Sequence, residues 1–378
     1  MGKTSAIWDM NTAKLTIVQQ YLSWRGHYRQ YFENLLSNDY EYIYCAPSIE
    51  RYPNSTFLRS IYLQNKPHSF LNFIRGRFFD SFNAYRTLVK KNSEFAHLIE
   101  FEPISFFFAT LVQPKNDIKW IVTIHSVDQM RYGNVVKDVI AWLQRKMYYY
   151  SLRKLAHAGA HFVTHYYEHQ RALLKIIGEQ YRDSTNVINY PCPDVSVPYS
   201  KKGLDKVPNL LIYGQIREDK GIFEFLSQAQ TKDLRITLAG HIIDKRILSI
   251  KRPNLLIINR FIEEYELHEI ILSHDFMLLP YALSYSGGAG TLKDSLSFGL
   301  PVLASDLPIF NEIVNEGELG YVYKSVENLL EYLTNITHEQ RNLLSHNAYV
   351  YAKKYSWQYM RNEYLTLYHD IMSAKLKT

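Results

Sequence analysis

YALSYSGGAGTLKDSLSFGLPVLASD, Tyr281 to Asp306, reads in order as a strand end, a glycine-rich loop, a helix and a short buried strand. Gly287, Gly288 and Gly290 remove side chains where the chain turns, so backbone N–H groups can converge on a ligand. Thr291 stands at the head of the helix, where unpaired N–H groups and the positive end of the dipole favour a phosphate. Gly299 and Pro301 end that helix, and Val302–Ala304 supplies the next strand. A glycine turn alone is weak evidence, because turns use glycine for steric reasons. A second element upstream decides the reading.

That element is LLIYGQIREDKGIFEFL, Leu210 to Leu226. Leu210–Tyr213 is an apolar strand, Gly214 breaks it, and Ile222–Leu226 begins a helical pattern. Arg217 and Lys220 lie in the connecting loop, where both can face one anion. Arginine offers a planar fork and lysine a compact point charge, a combination suited to a diphosphate. The plainer reading of the same loop is a solvated turn, with the two cations set beside Glu218 and Asp219.

Together the two segments resemble the C-terminal half of the GT-B-fold glycosyltransferases, especially family 4 of the nucleotide-sugar-dependent enzymes. That family's diphosphate loop, Gly-x-x-Arg-x-x-Lys-Gly, is matched by Gly214, Arg217, Lys220 and Gly221. Its second signature pairs two glutamates ahead of a small-residue helix and Gly-x-Pro-Val. Gly299, Pro301 and Val302 fit the end, while Ser286 and Asp294 take the two glutamate positions. Asp294 keeps an acceptor for the donor ribose hydroxyls with a shorter reach. Ser286 keeps hydrogen bonding to the transferred sugar but loses the charge. The resemblance therefore implies nucleotide binding firmly and implies a retaining outcome ahead of an inverting one.

It also implies the fold, α/β with two doubly wound Rossmann-like domains facing a cleft. The expected limits are residues 1–195 for an acceptor-side domain and 196–355 for a nucleotide-sugar domain, with a terminal helix over 356–378 crossing back to the first. His125, at the mouth of the fourth strand in TIHSVDQ, matches the family's Thr-x-His motif. Its expected part is to hydrogen-bond the transferred sugar or the departing phosphate, for which it need not carry a proton. Gly26 lets the backbone approach the donor, with Arg25 and His27 on the acceptor side. The base is expected against Arg260 and Phe261, where backbone contacts leave UDP and GDP undivided. The catalytic set is then His125, Arg217 and Lys220. The reaction is cleavage of a sugar–phosphate bond through an oxocarbenium-like transition state. Arg217, Lys220 and the amides of Gly288–Thr291 take up the charge of the leaving diphosphate, so neither cofactor nor metal ion is expected. No Asp-x-Asp metal-diphosphate anchor stands at a strand end.

The remaining sequence agrees with two domains. In 378 residues the strand-like runs alternate with helical ones. The first half gives Leu15–Leu22, Glu41–Cys45, His97–Phe101, Lys119–Ile124, Ala160–Thr164 and Asn186–Asn189; the second gives Leu210–Tyr213, Arg235–Ala239, Leu255–Ile258, Phe276–Leu279 and Val302–Ala304. Pro191–Pro208, rich in proline and charge, reads as the linker. The two cysteines, Cys45 and Cys192, argue against a disulfide framework and suit a reducing compartment. Ile104–Val112, the longest mainly apolar run, is far shorter than the roughly 20 residues a membrane span requires. The start lacks a signal-peptide core.

A net charge of +6 and 31 tyrosines set the composition apart. Aromatic and basic residues coincide over Ile61–Lys91, where Lys66, Arg75, Arg77, Arg86, Lys90 and Lys91 meet a single acid, Asp80. Phe70, Phe73, Phe78, Phe79, Phe82 and Tyr85 are interleaved with them. A basic amphipathic helix of this kind suits an anionic membrane surface; an ordinary covering helix has the same pattern. Nucleic acid is a poorer partner, since the charge is modest and no binding module is present. The expected protein is a cytoplasmic hexosyltransferase of bacterial surface-polysaccharide synthesis, with peripheral attachment to the inner face of the cytoplasmic membrane left open beside the covering-helix reading. Its substrates would be a nucleotide sugar and a saccharide or lipid-linked acceptor. Two rivals share the scaffold: a nucleotide-sugar epimerase, which needs acid/base carboxylates that Ser286 does not supply, and a non-catalytic nucleotide-binding protein, which does not need the Arg217/Lys220 pair.

Overall fold

The computed structural model describes residues 14–24, 27–63, 72, 75–91, 93–111, 118–127, 135–195, 207–283, 285, 290–315 and 317–375. The chain divides into two units. The first comprises Met1–His165, His169–Ile188 and Arg361–Thr378; the second comprises Tyr166–Glu168 and Asn189–Met360.

The first unit is built on seven parallel strands: β1 (Leu15–Gln19), β2 (Glu41–Ala46), β3 (Ser55–Arg59), β4 (Phe95–Leu98), β5 (Lys119–Ile124), β6 (His161–Thr164) and β7 (Thr185–Val187). Their order is β3-β2-β1-β4-β5-β6-β7. Every residue of β1 is buried, as expected of a parallel strand covered on both faces by crossover helices. The second unit has six parallel strands: β8 (Asn209–Tyr213), β9 (Arg235–Ala239), β10 (Leu255–Ile258), β11 (Phe276–Leu279), β12 (Val302–Ser305) and β13 (Gly320–Tyr323), in the order β10-β9-β8-β11-β12-β13. In both sheets the order reverses beside the unit's first strand, between β1 and β4 and between β8 and β11. A doubly wound sheet binds its ligands outside the carboxyl ends of the strands at such a reversal.

Two strands escape the sequence reading. β3, STFLR, is a half-exposed edge strand with no continuous apolar run. β13, GYVY, opens on Gly320, where a Cβ would lie 1.8 Å from the Val302 carbonyl oxygen, so close pairing with β12 selects a residue that reads as a breaker. β4 begins at Phe95, ahead of His97, and β1 stops at Gln19.

Ile61–Lys91 is not one amphipathic helix. Ile61–Leu63 is irregular, and the Asp80 carboxylate accepts from the Ser60 hydroxyl and, at 3.1 Å, from the Ile61 N–H. A π-helical turn, Arg75–Asp80, leads into the helix Ser81–Lys90, which buries Ala84, Tyr85, Leu88 and Val89. Arg75, Phe79, Arg86, Lys90 and Lys91 are exposed. Lys66, Phe70 and Phe73 lie outside the described residues.

The last helix, Trp357–Lys375, passes from the second unit to the first at Arg361. Arg361 donates to the carbonyls of Asn34 (2.6 Å) and Leu36 (2.9 Å). Deeper in, hydroxyls form a buried chain: Tyr31 to Tyr364 (2.6 Å), Tyr364 to Thr123 (2.8 Å), Thr123 to His97 Nε2 (2.9 Å), and His97 Nδ1 to Tyr368 (2.6 Å). Burial, reinforced by the neighbouring His125, pushes the His97 imidazole down to about 3, so it serves as a neutral link. Every group in the chain is buried, and each finds its partner within it.

Candidate functional site

In the second unit the site grows from β8. Gly214 ends the strand with φ +103°, a conformation that suits only glycine, and a Cβ there would stand 2.9 Å from the Thr291 methyl group. The chain then runs through Arg217 in extended conformation, a 3₁₀ turn over Glu218–Lys220, and Gly221 at φ +68°, before the helix Ile222–Leu226. Gly221 admits the loop after β11: a Cβ on it would lie 2.9 Å from that of Ala282, whose N–H donates to the Lys220 carbonyl at 3.0 Å. The loops at the carboxyl ends of the two central strands are thus stitched together.

Lys220 is 6% exposed, with its Nζ 4.9 Å from the centroid of the Tyr281 ring. The Tyr281 hydroxyl meets Thr291 Oγ1 at 3.2 Å, which ties the ring to the head of the helix Gly290–Ser297. Burial, helped by the Arg217 charge and opposed by Asp219, lowers the Lys220 ammonium to about 8. No carboxylate pairs with it among the described residues. A buried cation beside glycine backbone and a helix N-terminus is arranged to receive an anion. Arg217 is half-exposed, and its guanidinium is held by both oxygens of Asp219, at 3.0 and 2.9 Å. An arriving anion must compete with that carboxylate.

Gly290, Thr291 and Asp294 all lie in the first two turns of the helix Gly290–Ser297, with Thr291 and Asp294 partly buried. Ser286, Gly287 and Gly288 lie outside the described residues. Arg260 is held by both oxygens of Glu266, at 2.6 and 2.7 Å, while Phe261 is 53% exposed.

In the first unit His125 follows β5 directly, half-buried at the strand's carboxyl end. Its Nε2 lies 3.0 Å from the Ile99 carbonyl oxygen and 3.1 Å from Glu100 Oε1, and its Nδ1 lies 3.0 Å from His165 Nε2. Burial alone would depress its pKa, but the Glu100 carboxylate and the Ile99 carbonyl hold it above the ordinary value. His27 is half-buried at the start of the helix Tyr28–Asn34; Arg25 and Gly26 lie outside the described residues. Sequence reasoning passed over Glu100, His165 and Tyr281. His165 was findable, since it directly follows β6 as His125 follows β5; Glu100, two residues past the end of β4, falls inside the strand expected over His97–Phe101. Tyr281 looked like an ordinary strand-end aromatic.

Residues 200–355 match a family model described as Glycosyl transferases group 1. No curated protein matches the chain by sequence. Among solved structures, the sucrose-phosphate synthase of Thermosynechococcus elongatus is similar with a TM-score of 0.68 at 14% identity, covering 96% of this chain and 100% of that one. HepE of Anabaena, in complex with UDP, gives a TM-score of 0.62 at 9% identity, covering 95% of this chain and 100% of the other. WaaG, a glycosyltransferase involved in lipopolysaccharide biosynthesis, gives 0.59 at 14% identity, covering 92% and 98%. At such identities the likeness is one of fold, and the fold is α/β of the GT-B type.

Proposed function

We propose, from a chain whose residues 200–355 match the family model of glycosyl transferases group 1 and whose fold is GT-B, that this protein moves a sugar from a nucleoside-diphosphate sugar to a saccharide or lipid-linked acceptor. The observation that carries the reading is Lys220, a buried ammonium without a carboxylate partner among the described residues, set between Gly214, Tyr281 and the head of the helix that begins at Gly290. That HepE is known in complex with UDP, on the same fold, supports a nucleotide donor.

In this reading Lys220 and Arg217 bind the donor diphosphate, Arg217 exchanging Asp219 for phosphate oxygens. Thr291 and the adjoining amides complete the cradle, and Asp294 accepts from the ribose hydroxyls. As the sugar–phosphate bond breaks, negative charge grows on the leaving diphosphate, and fixed cations stabilise it without reorganising. That account supports turnover without a divalent metal. Retention of configuration is proposed ahead of inversion, with Ser286 taking the position at which the family signature has its first glutamate. His125 stands for contact with the sugar or the departing phosphate.

The setting proposed is the cytoplasmic face of a membrane, in surface-polysaccharide synthesis, where WaaG on the same fold is involved in making lipopolysaccharide. Support comes from an aromatic surface on the first unit. Phe79, Phe108, Trp142 and Tyr150 are all exposed, Phe78 lies 6.1 Å from Phe108 between ring centroids, and Phe107 lies 5.6 Å from Tyr150. Arg75 and Arg86 of the same unit are also exposed, and Lys146 lies over the Trp142 ring. Aromatic rings flanked by basic side chains suit an anionic lipid interface. Among the described residues no helix is long and apolar enough to cross a membrane.

The direct test is to incubate the protein with a panel of UDP- and GDP-linked sugars in EDTA and to assay nucleoside-diphosphate release. Slow hydrolysis of at least one donor, undiminished by EDTA, is expected. Epimerised donor without release would support the epimerase instead, and no change in any donor would support a non-catalytic binding protein.

A further inference from the structure

β5 and β6 are adjacent parallel strands whose register pairs Ile124 with Thr164, so the residues that follow, His125 and His165, emerge side by side. Their ring centroids are 4.7 Å apart, and His125 Nδ1 faces His165 Nε2 at 3.0 Å. The outer nitrogens both face acceptors: His125 Nε2 the Ile99 carbonyl (3.0 Å) and Glu100 Oε1 (3.1 Å), and His165 Nδ1 the Ile188 carbonyl (2.8 Å). A carbonyl oxygen only accepts, so each outer nitrogen carries hydrogen. The inner contact needs one more. Two neutral imidazoles hold two N–H groups between them, and this arrangement requires three.

We infer that His125 and His165 form a single proton-sharing pair with one positive charge, balanced by Glu100, in which His165 is a positioning residue that fixes the ring and the charge of His125. His165 is 1% exposed and cannot itself meet a substrate, whereas His125 is half-buried at the strand end. The other titratable groups around the pair favour the same state. Tyr31 presents its ring edge-on to both imidazoles, at 5.5 and 5.8 Å between centroids. Tyr364 bonds to Tyr31, and burial raises its phenol above the ordinary value, so it stays neutral. His97, buried and neutral, adds no competing charge. Glu100 therefore supplies the nearby negative charge. Relevance to catalysis rests on the proposed function: His125 then meets the donor as an imidazolium, suited to the anionic side of the bond that breaks.

The experiment is nitrogen-detected NMR of the histidine rings across pH, on wild type, Glu100→Gln, His165→Asn and His165→Phe, with folding checked by circular dichroism. In wild type His125 should show both nitrogens protonated near neutral pH, with a midpoint above the usual value of about 6.5. Glu100→Gln and His165→Phe should each lower that midpoint by about one unit or more. Asparagine can accept from His125 and donate to Ile188, so His165→Asn should keep the imidazolium and serves even if the phenylalanine variant does not fold. If transferase activity is found, the alkaline limb of its pH profile should follow the same order of variants. A neutral His125 near neutral pH, or a midpoint indifferent to Glu100→Gln, overturns the inference. The NMR result stands apart from activity, so a protein with a charged pair and no transferase activity would count against the proposed function alone.

Discussion

Lys220 Nζ sits 4.9 Å above the Tyr281 ring while the hydroxyl of that tyrosine bonds Thr291, so one aromatic side chain joins the buried cation to the head of the helix Gly290–Ser297. The two come from segments far apart in the chain, brought together because β8 and β11 are neighbours at the reversal of strand order.

A pH dependence follows. In the free protein Lys220 titrates at about 8, below the ordinary lysine value of 10.5. Above pH 8 the free protein has a neutral amine, and binding a diphosphate must bring a proton back. Nucleoside-diphosphate affinity should therefore be level below pH 8 and fall by up to about tenfold per unit above it. Stability of the free protein changes in the opposite sense. Between 8 and 10.5 the unfolded chain holds more protons at this group, so the Lys220 contribution grows as pH rises through that window and is lost as pH falls through it. Calorimetry across buffers would detect the proton uptake on binding, and its absence at pH 9 would remove Lys220 from the anion site.

Gly240 packs directly against the backbone of Gly214 at the end of β8. It adopts φ +139°, and a Cβ would lie 1.9 Å from the Gly214 carbonyl oxygen. Gly240→Ala should destabilise the protein by about 2–4 kcal/mol through strain and a backbone clash, read in denaturant unfolding. A shift below about 0.5 kcal/mol would mean that the β8 and β9 strand ends are looser than described.

Tyr364→Phe tests the hydroxyl chain of the terminal helix. It leaves Tyr31 and Thr123 without their shared partner in a buried setting, at a cost of about 1–3 kcal/mol. An unchanged melting temperature would argue that the chain is not satisfied as described.

Liposome co-sedimentation tests the membrane setting. Binding should need anionic lipid and weaken with salt. Changing Arg75 and Arg86 to Gln should cost up to roughly 1 kcal/mol each, and Phe79→Ser with Phe108→Ser should remove the salt-resistant part. Equal binding by all of these variants would leave the surface as plain covering helices.

The strand–turn–helix course of the loop Gly214–Gly221 was legible because glycine positions are local signals, and both glycines adopt the positive φ that their place in the turn requires. Strand periodicity was equally local, and β5, β9, β10 and β11 have the limits the sequence indicates. What the sequence hid is relational. The edge strand β3 has no apolar run, and Gly320 opens β13 because it meets the Val302 backbone, a partner distant in sequence. The π-helical turn before Ser81 ends on Asp80, whose carboxylate bonds Ser60 and Ile61, partners distant in sequence. His165 gains meaning only when β6 is known to lie beside β5.

The central claim is that Arg217 and Lys220 hold a nucleotide diphosphate, and titration calorimetry of UDP and GDP against wild type and the Arg217→Ala/Lys220→Ala variant tests it most directly. Each charge-assisted contact is worth about 1.5–3 kcal/mol, so the double variant should bind at least roughly a hundredfold more weakly while unfolding like wild type. Equal affinity in the two proteins, or no binding of either nucleotide by wild type, would contradict the account.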